Sequence, residues 1–295
     1  MKRLAISEDL TRRLVATQFP EWADLPVRPI SRGWDNRSFR LGDDMLVRLP
    51  SAAEYAIQVE KEHYWLPRLA PSLPLPIPKP LAIGAPTNGY PWQWSIYRWI
   101  EGETAVPGPI DDMGDFAVSL AGFLTALYGT DAAEGPKPGE HNFYRGAALA
   151  TYDKETRHAI ATLQGKIDTR LATEAWETAL GTKWILPPVW VHGDVSPENL
   201  LVERGKLSAV IDFGMLAVGD PACDLSIAWT LFRGENRRQF RERVQLDSAT
   251  WARGRAWTLW KALIIAAGLV QTNEVGMRRP FRIIEEVLEA STINA

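Results

Sequence analysis

The chain has 295 residues, 46% apolar and 23% charged, with a formal net charge of −3. That is globular composition, long enough for one large domain or two, and it lacks the positive excess of a nucleic-acid or polyanion binder. A single cysteine, Cys223, excludes an intramolecular disulfide and suits the cytoplasm; four scattered histidines (His63, His141, His158, His192) make no zinc set, and the apolar run 262–270 is too short to span a membrane.

Lys2 and Arg3 could open a signal peptide, but Glu8 and Asp9 follow where an apolar core would be needed. Ser7 ahead of those acids marks a helix start, with Leu10, Leu14 and Val15 on one face. From Val27 to Leu49, short apolar runs are punctuated by Gly33, by Asp35-Asn36 and by Gly42-Asp43-Asp44, which predicts a three-stranded meander with Gly33 and Asp35-Asn36 at one tip. Ser51 to Glu54 has capping-box spacing, so a helix is expected from there. Tyr55, Val59, Glu62 and Leu66 fall on its inward face, and Pro67 is expected to bend or end it. LPLPIPKP (73–80) reads as an extended connector, and PWQWSIYRWI (91–100) as a strand or two broken by Glu101-Gly102-Glu103.

Beyond that point the pattern turns helical. One helix is expected over 112–128, closed by Gly129; a loop over 135–146; and two helices between Thr151 and Leu180. Strands return at 189–191, 200–203 and 207–211, and a helical block runs from Pro221 onward, with Asp220 as its cap and Gly234 as its stop. Cys223 and Trp229 read as core. A strand-rich first third and a helical remainder make an α+β chain of two lobes, 1–97 and 98–295, joined at about 97–102.

One stretch does not fit a plain core. In VHGDVSPENLL (191–201), an apolar strand gives way to Asp194 and Asn199 before the next strand begins. Turn chemistry alone explains such residues. However, 200–203 and 207–211 form a hairpin around Arg204-Gly205, and if partners sum to 409, Asn199 faces Val210 and Asp212 faces Pro197. Asp194, Asn199 and Asp212 then converge at its open end. Two like charges there repel unless something offsets them, and a magnesium ion, which takes oxygen ligands and shares them with substrate phosphates, would do so.

HGDVSPEN (192–199), IDFG (211–214) and GDPACDL (219–225), in that order and spacing, closely resemble the aminoglycoside/macrolide phosphotransferase family. The resemblance covers nearly the whole chain and implies a bilobal protein-kinase-like fold, with a first lobe covering the nucleotide and a second carrying catalysis and the acceptor. The implied activity is transfer of a phosphoryl group from ATP or GTP, with Mg2+, to the hydroxyl of a small molecule. Residue by residue, the resemblance makes Asp194 the catalytic base, Asn199 and Asp212 the magnesium ligands, His192 a packing residue and Asp224 a brace for the catalytic loop. Arg48 stands where aminoglycoside kinases carry lysine, as it does in macrolide kinases; an arginine still brings a permanent charge and a fork for phosphate oxygens. Glu62 is its expected partner, with Glu60 the alternative if Pro67 shifts the helix phase. Tyr97, Arg98 and Ile100 match the hinge that reads the base edge, and Leu46, Leu201 and Ile211 the apolar walls around the base.

The acceptor is less defined. Residues 225–295 carry eleven Lys/Arg against seven Asp/Glu, a net +4, and 251–270 is rich in Trp and aliphatics. This leans away from a polycation and toward a less charged or partly apolar alcohol, with Tyr144 or Arg145 of the 140–146 loop as candidate contacts. A nucleotide-binding pseudokinase is the competing reading, against which Asp194, Asn199 and Asp212 are all retained. A protein kinase is disfavoured, because only five residues separate Gly214 from Asp220, too few for a peptide-docking segment.

Overall fold

A computed structural model describes residues 4–32, 35–87, 89–105, 110–270 and 280–292; Gly33 lies outside them. Helix α1 (Glu8–Gln18) is capped by Ser7, whose hydroxyl accepts the Leu10 N–H. It packs on an antiparallel sheet ordered β1-β2-β3-β5-β4: β1 Val27–Arg32, β2 Asn36–Leu41, β3 Met45–Pro50, β4 Pro80–Gly84 and β5 Trp94–Arg98. Leu14 and Val15 meet Phe39, Leu41, Val47, Leu49 and Ile96 in one core. Strand alternation sends Met45, Val47 and Leu49 of β3 into that core and leaves Leu46 and Arg48 half-buried on the opposite face. That face looks toward helix α2 (Ala53–Leu69) and the rest of the chain.

Helix α2 departs from expectation at both ends. It begins at Ala53 with Ala52 as N-cap and no side-chain cap, because Ser51 is tied by its backbone to Asp35 and Leu4. It also runs through Pro67 to Leu69. A proline this close to the C-terminal end removes one amide bond and leaves only a short remainder to destabilise. β4 was hidden by Pro80 and Gly84 at its ends; both are tolerated because it is an edge strand.

The remainder is mainly helical: α3 (Met113–Tyr128), capped by Asp112; α4 (Asp153–Thr162); α5 (Thr169–Leu180), capped by Asp168; α6 (Ile227–Thr230); α7 (Gly234–Val244); α8 (Ser248–Ala266), capped by Asp247; and α9 (Pro280–Thr292). Two small sheets are set among them. β6 (Glu103–Thr104) joins the hairpin of β8 (Leu200–Glu203) and β9 (Lys206–Val210), and β7 (Val189–Val191) pairs with β10 (Ala217–Gly219). After Pro221 the chain makes a 3-10 turn to Ser226, then α6, and Gly234 opens α7 rather than stopping a longer helix. The cap at Asp220 holds, accepting the Ala222 N–H. Cys223 and Trp229 are buried.

A second core gathers the helices and both small sheets, and it also takes in Leu66, Leu69, Ile77 and Tyr97. Helix α2 therefore belongs to both halves of the molecule. Among the described residues no helix is long and apolar enough to cross a membrane.

Candidate active site

The loop after β7 is clamped from behind. Gly193 has φ +82°, and a Cβ there would meet the Met215 carbonyl oxygen at 2.6 Å and Arg145 Cβ at 3.0 Å, so glycine is required. His192 is fully buried; its Nδ1 accepts the Asp194 N–H (3.2 Å), which leaves Nε2–H to donate to the Ile211 carbonyl (3.0 Å). Its ring packs edge-on against Phe213. Asp224 accepts the amides of His192 (2.9 Å) and Gly193 (2.7 Å), and burial pushes its carboxyl up to about 6.

This scaffold presents Asp194 with its side chain 33% exposed. Asn199 Nδ2 donates to the Asp194 carbonyl (2.9 Å) and to Asp194 Oδ2 (3.3 Å), while Lys261 Nζ of α8 lies 2.8 Å from Oδ1. Burial would raise the Asp194 carboxyl, but Lys261 and Arg145 outweigh it and hold it well below the usual carboxylate range.

The β8–β9 hairpin differs from the expected register at its open end. Val202↔Leu207 and Glu203↔Lys206 pair as expected near the turn, but a bulge between Leu201 and Val202 shifts the outer pairs to Leu201↔Ala209 and Leu200↔Val210. Asn199 consequently faces Ile211, whose N–H it accepts at 2.9 Å, instead of Val210. Asp212 follows in a left-handed conformation (φ +65°), which aspartate tolerates better than most residues. Its Oδ1 lies 3.0 Å from Arg48 Nη2. The like charges expected here are thus each met by a side-chain cation, Asp212 by Arg48 and Asp194 by Lys261.

The donors still suit a hard cation. Asn199 spends its amide nitrogen on Asp194, which leaves its oxygen as the acceptor beside the Asp212 carboxylate. No group of three or more His, Cys, Asp or Glu side chains suited to a metal occurs among the described residues. A magnesium ion on Asn199 and Asp212 would therefore complete its shell with water and phosphate oxygens, as this ion commonly does.

Arg48 reaches Glu62 (3.7 Å) as well as Asp212. Glu60 lies exposed on α2. The Tyr97 hydroxyl donates to Glu62, and the Arg48 guanidinium sits 5.9 Å from the Tyr97 ring centroid. Burial raises the Glu62 carboxyl while Arg48 opposes the rise. Tyr97 therefore faces this cluster and not a nucleotide base. Arg98 is a surface residue whose side chain reaches Asp44 (3.5 Å). The amides of Arg98 and Trp99 donate to Lys79 and Asp44 carbonyls, so base reading at this segment falls to Ile100. Leu46 pairs with Tyr97 across β3–β5 and Leu201 with Thr104 across β6–β8, on either side of the 97–102 connection; Ile211 is half-buried just past β9.

Four charged side chains carry weight that the sequence did not assign. Lys61 donates to the Gly214 (2.7 Å) and Leu216 (3.1 Å) carbonyls. Asp35 lies near Arg48 and Asp212, and burial and then Asp212 push its carboxyl up to about 6. Arg253 makes a buried ion pair with Asp220 (2.6 Å). Lys261 faces Asp194. Lys61 was beyond reach because its partners are backbone carbonyls; Lys261 sat in the Trp-rich segment already tied to the acceptor, and its spacing from Trp257 was the available signal.

A model of the phosphotransferase enzyme family matches residues 26–257. Among solved structures, the GDP and kanamycin complex of APH(2")-IIia superposes with a TM-score of 0.74 at 20% identity, covering 95% of this chain and 98% of that one. The macrolide 2'-phosphotransferase MphH from Brachybacterium faecium gives 0.62 at 21%, covering 94% and 97%. In sequence, an aminoglycoside 3'-phosphotransferase of Escherichia coli is 26% identical over 154 residues, 46% of this chain and 51% of that protein. The chain spans about half the length of the curated relatives it matches. The structural likeness shows the fold: a β-rich first lobe and a mainly helical second one.

Proposed function

This chain belongs to the phosphotransferase enzyme family, and on that premise we propose that it transfers the γ-phosphoryl group of ATP or GTP to a hydroxyl of a small antibiotic-like or metabolite acceptor, with Asp194 as the base. The observation that carries this reading is the meeting of Asp194, fixed by Asn199, with Asp212, fixed by Arg48, where the sheet and the helical part come together. Structural relatives bind GDP with kanamycin and, in another case, ATP with streptomycin, which supports a nucleotide donor and a small hydroxylated acceptor.

In the proposed step the acceptor oxygen forms a new bond to the γ-phosphorus. The bridging P–O bond breaks, its electron pair leaves on the nucleoside diphosphate, and the hydroxyl proton passes to Asp194. A strongly acidic Asp194 is a poor proton trap beforehand, which suits a loose transition state where the base mainly orients the hydroxyl until transfer is advanced. Arg48, held by Glu62, is placed to take phosphate oxygens. Magnesium on Asn199 and Asp212 would neutralise charge on the phosphates. Leu46, Leu201, Ile211 and the Ile100 backbone would hold the base, in lobes we place at 1–97 and 98–295.

Asp194→Ala is expected to abolish phosphoryl transfer and the slow nucleotide hydrolysis of the purified protein while retaining Mg-nucleotide binding. Full transfer activity in that variant overturns the mechanism. The same assay separates the pseudokinase reading, in which wild type would bind nucleotide and turn over nothing.

A further inference from the structure

The surroundings of Asp194 carry more cation than the base needs. On α8, Trp257, Trp260 and Lys261 stand at i, i+3 and i+4 and share one face. Lys261 brings its ammonium to Asp194 Oδ1 with 41% of its side chain exposed, so its other two donors point away from the one carboxylate it meets.

Arg145 arrives from the opposite element. Its backbone is fixed by Asn142, whose amide bridges the Arg145 and Met215 carbonyls, and its Cβ packs against Gly193 beside Asp194. Its guanidinium lies over Trp257 (4.7 Å) and Trp260 (5.4 Å). It makes no ion pair among the described residues, and its Nε and Nη1 are buried without a hydrogen-bond partner. Donors left in that state are costly unless a ligand completes them. The carboxylate close to this group, Glu155, accepts the Trp260 indole N–H (2.7 Å). Two cations thus flank one aspartate at the point where an acceptor hydroxyl must sit.

Building on the kinase reading above, we propose that the acceptor is an anionic alcohol, its carboxylate or phosphate held by Lys261 and Arg145 while its hydroxyl meets Asp194. A polycation would place ammonium groups against Lys261 and Arg145. An anion instead completes their donors and draws Lys261 partly off Asp194, freeing the carboxylate to accept the hydroxyl. The Trp257–Trp260 surface gives the acceptor's carbon skeleton an apolar wall.

The test is a matched panel read by nucleoside diphosphate release: glycerate, glycerol 3-phosphate and glycerol; gluconate, glucose 6-phosphate and glucose; and kanamycin as the polycation. At least one anionic member should exceed its neutral counterpart tenfold or more in kcat/KM, chiefly through KM, and the carboxylate and phosphate arms identify which anion is read. Lys261→Met and Arg145→Met should bring that ratio close to one, and Lys261→Arg should keep most of it. A preference for kanamycin or the neutral alcohols overturns the proposal. So does a ratio unchanged in both Met variants, which would assign these cations to the nucleotide or the fold. Where no member turns over, calorimetric titration of gluconate and glucose 6-phosphate into protein with Mg-ADP decides: binding by wild type that both Met variants lose upholds the proposal, and no binding, or equal binding, refutes it. Nucleotide hydrolysis that depends on Asp194 stands apart as the check on the kinase reading, so the two ideas fail separately.

Discussion

Asp212 is held in a left-handed backbone conformation and paired with Arg48 at 3.0 Å. Its charge serves two masters in the proposed site, the arginine before nucleotide arrives and the cation afterward. Asparagine also tolerates positive φ, so Asp212→Asn removes the charge with little disturbance to the backbone. We expect the variant to bind Mg-nucleotide at least tenfold more weakly, a loss of about 1.4 kcal/mol of ligand-linked stability. Thermal shifts with nucleotide, with and without magnesium, measure this. An equal magnesium-dependent shift in variant and wild type would remove Asp212 from the site.

At the scale of elements, α2 is latched to the segment after Asp212. Lys61 bonds the Gly214 and Leu216 carbonyls and approaches His141 Nδ1 (3.3 Å), one residue before the glutamate that holds Arg48. The latch thereby fixes the Asp212 and Arg48 sides of the site relative to each other. Burial lowers the Lys61 ammonium to about 8 from its ordinary 10.5. Between those values the unfolded chain binds the extra proton, so the stability contributed by Lys61 rises with pH through this window and the full cost of charging applies below it. Lys61→Met should therefore be destabilising, and more so at pH 10 than at pH 7.5, the gap widening by about 1–3 kcal/mol. Urea denaturation at the two pH values tests the sign; a constant gap would show that Lys61 is not buried in this way.

Over the whole molecule, the same helix makes the two cores one cooperative system. Leu66 is fully buried among residues of the helical core, and Trp65 stacks edge-on against Trp190 of β7 at 4.7 Å, although α2 follows directly on the N-terminal sheet. Truncation to Leu66→Ala leaves a cavity at that junction and should cost about 2–5 kcal/mol. Loss of the packing that couples the halves is expected to lower the midpoint of a single transition, seen alike by far-UV circular dichroism and tryptophan fluorescence. Two separated transitions in the wild type would show that the sheet and the helices unfold independently.

Much of this was legible in the linear chain. The meander, the inward face of α2, the Asp112 and Ser7 caps and the β8–β9 hairpin follow from local turn chemistry and apolar periodicity, and the three motifs pointed to the family. The pairing of Arg48 with Glu62 was within reach because a carboxylate on an apolar helix face needs a partner. Where local rules gave way, a neighbour distant in sequence had decided the matter. Backbone bonds to Leu4 and Asp35 fixed Ser51, the edge position of β4 admitted a proline, and a bulge moved Asn199 opposite Ile211. The cations at Asp194 belong to this second class. Lys261 and Arg145 lie 67 and 49 positions from the base, and only the packing of α8 and the 140–146 loop against the clamped turn brings their charge there. Sequence periodicity specifies which face of an element is buried; which charges then confront one another depends on how those faces are assembled.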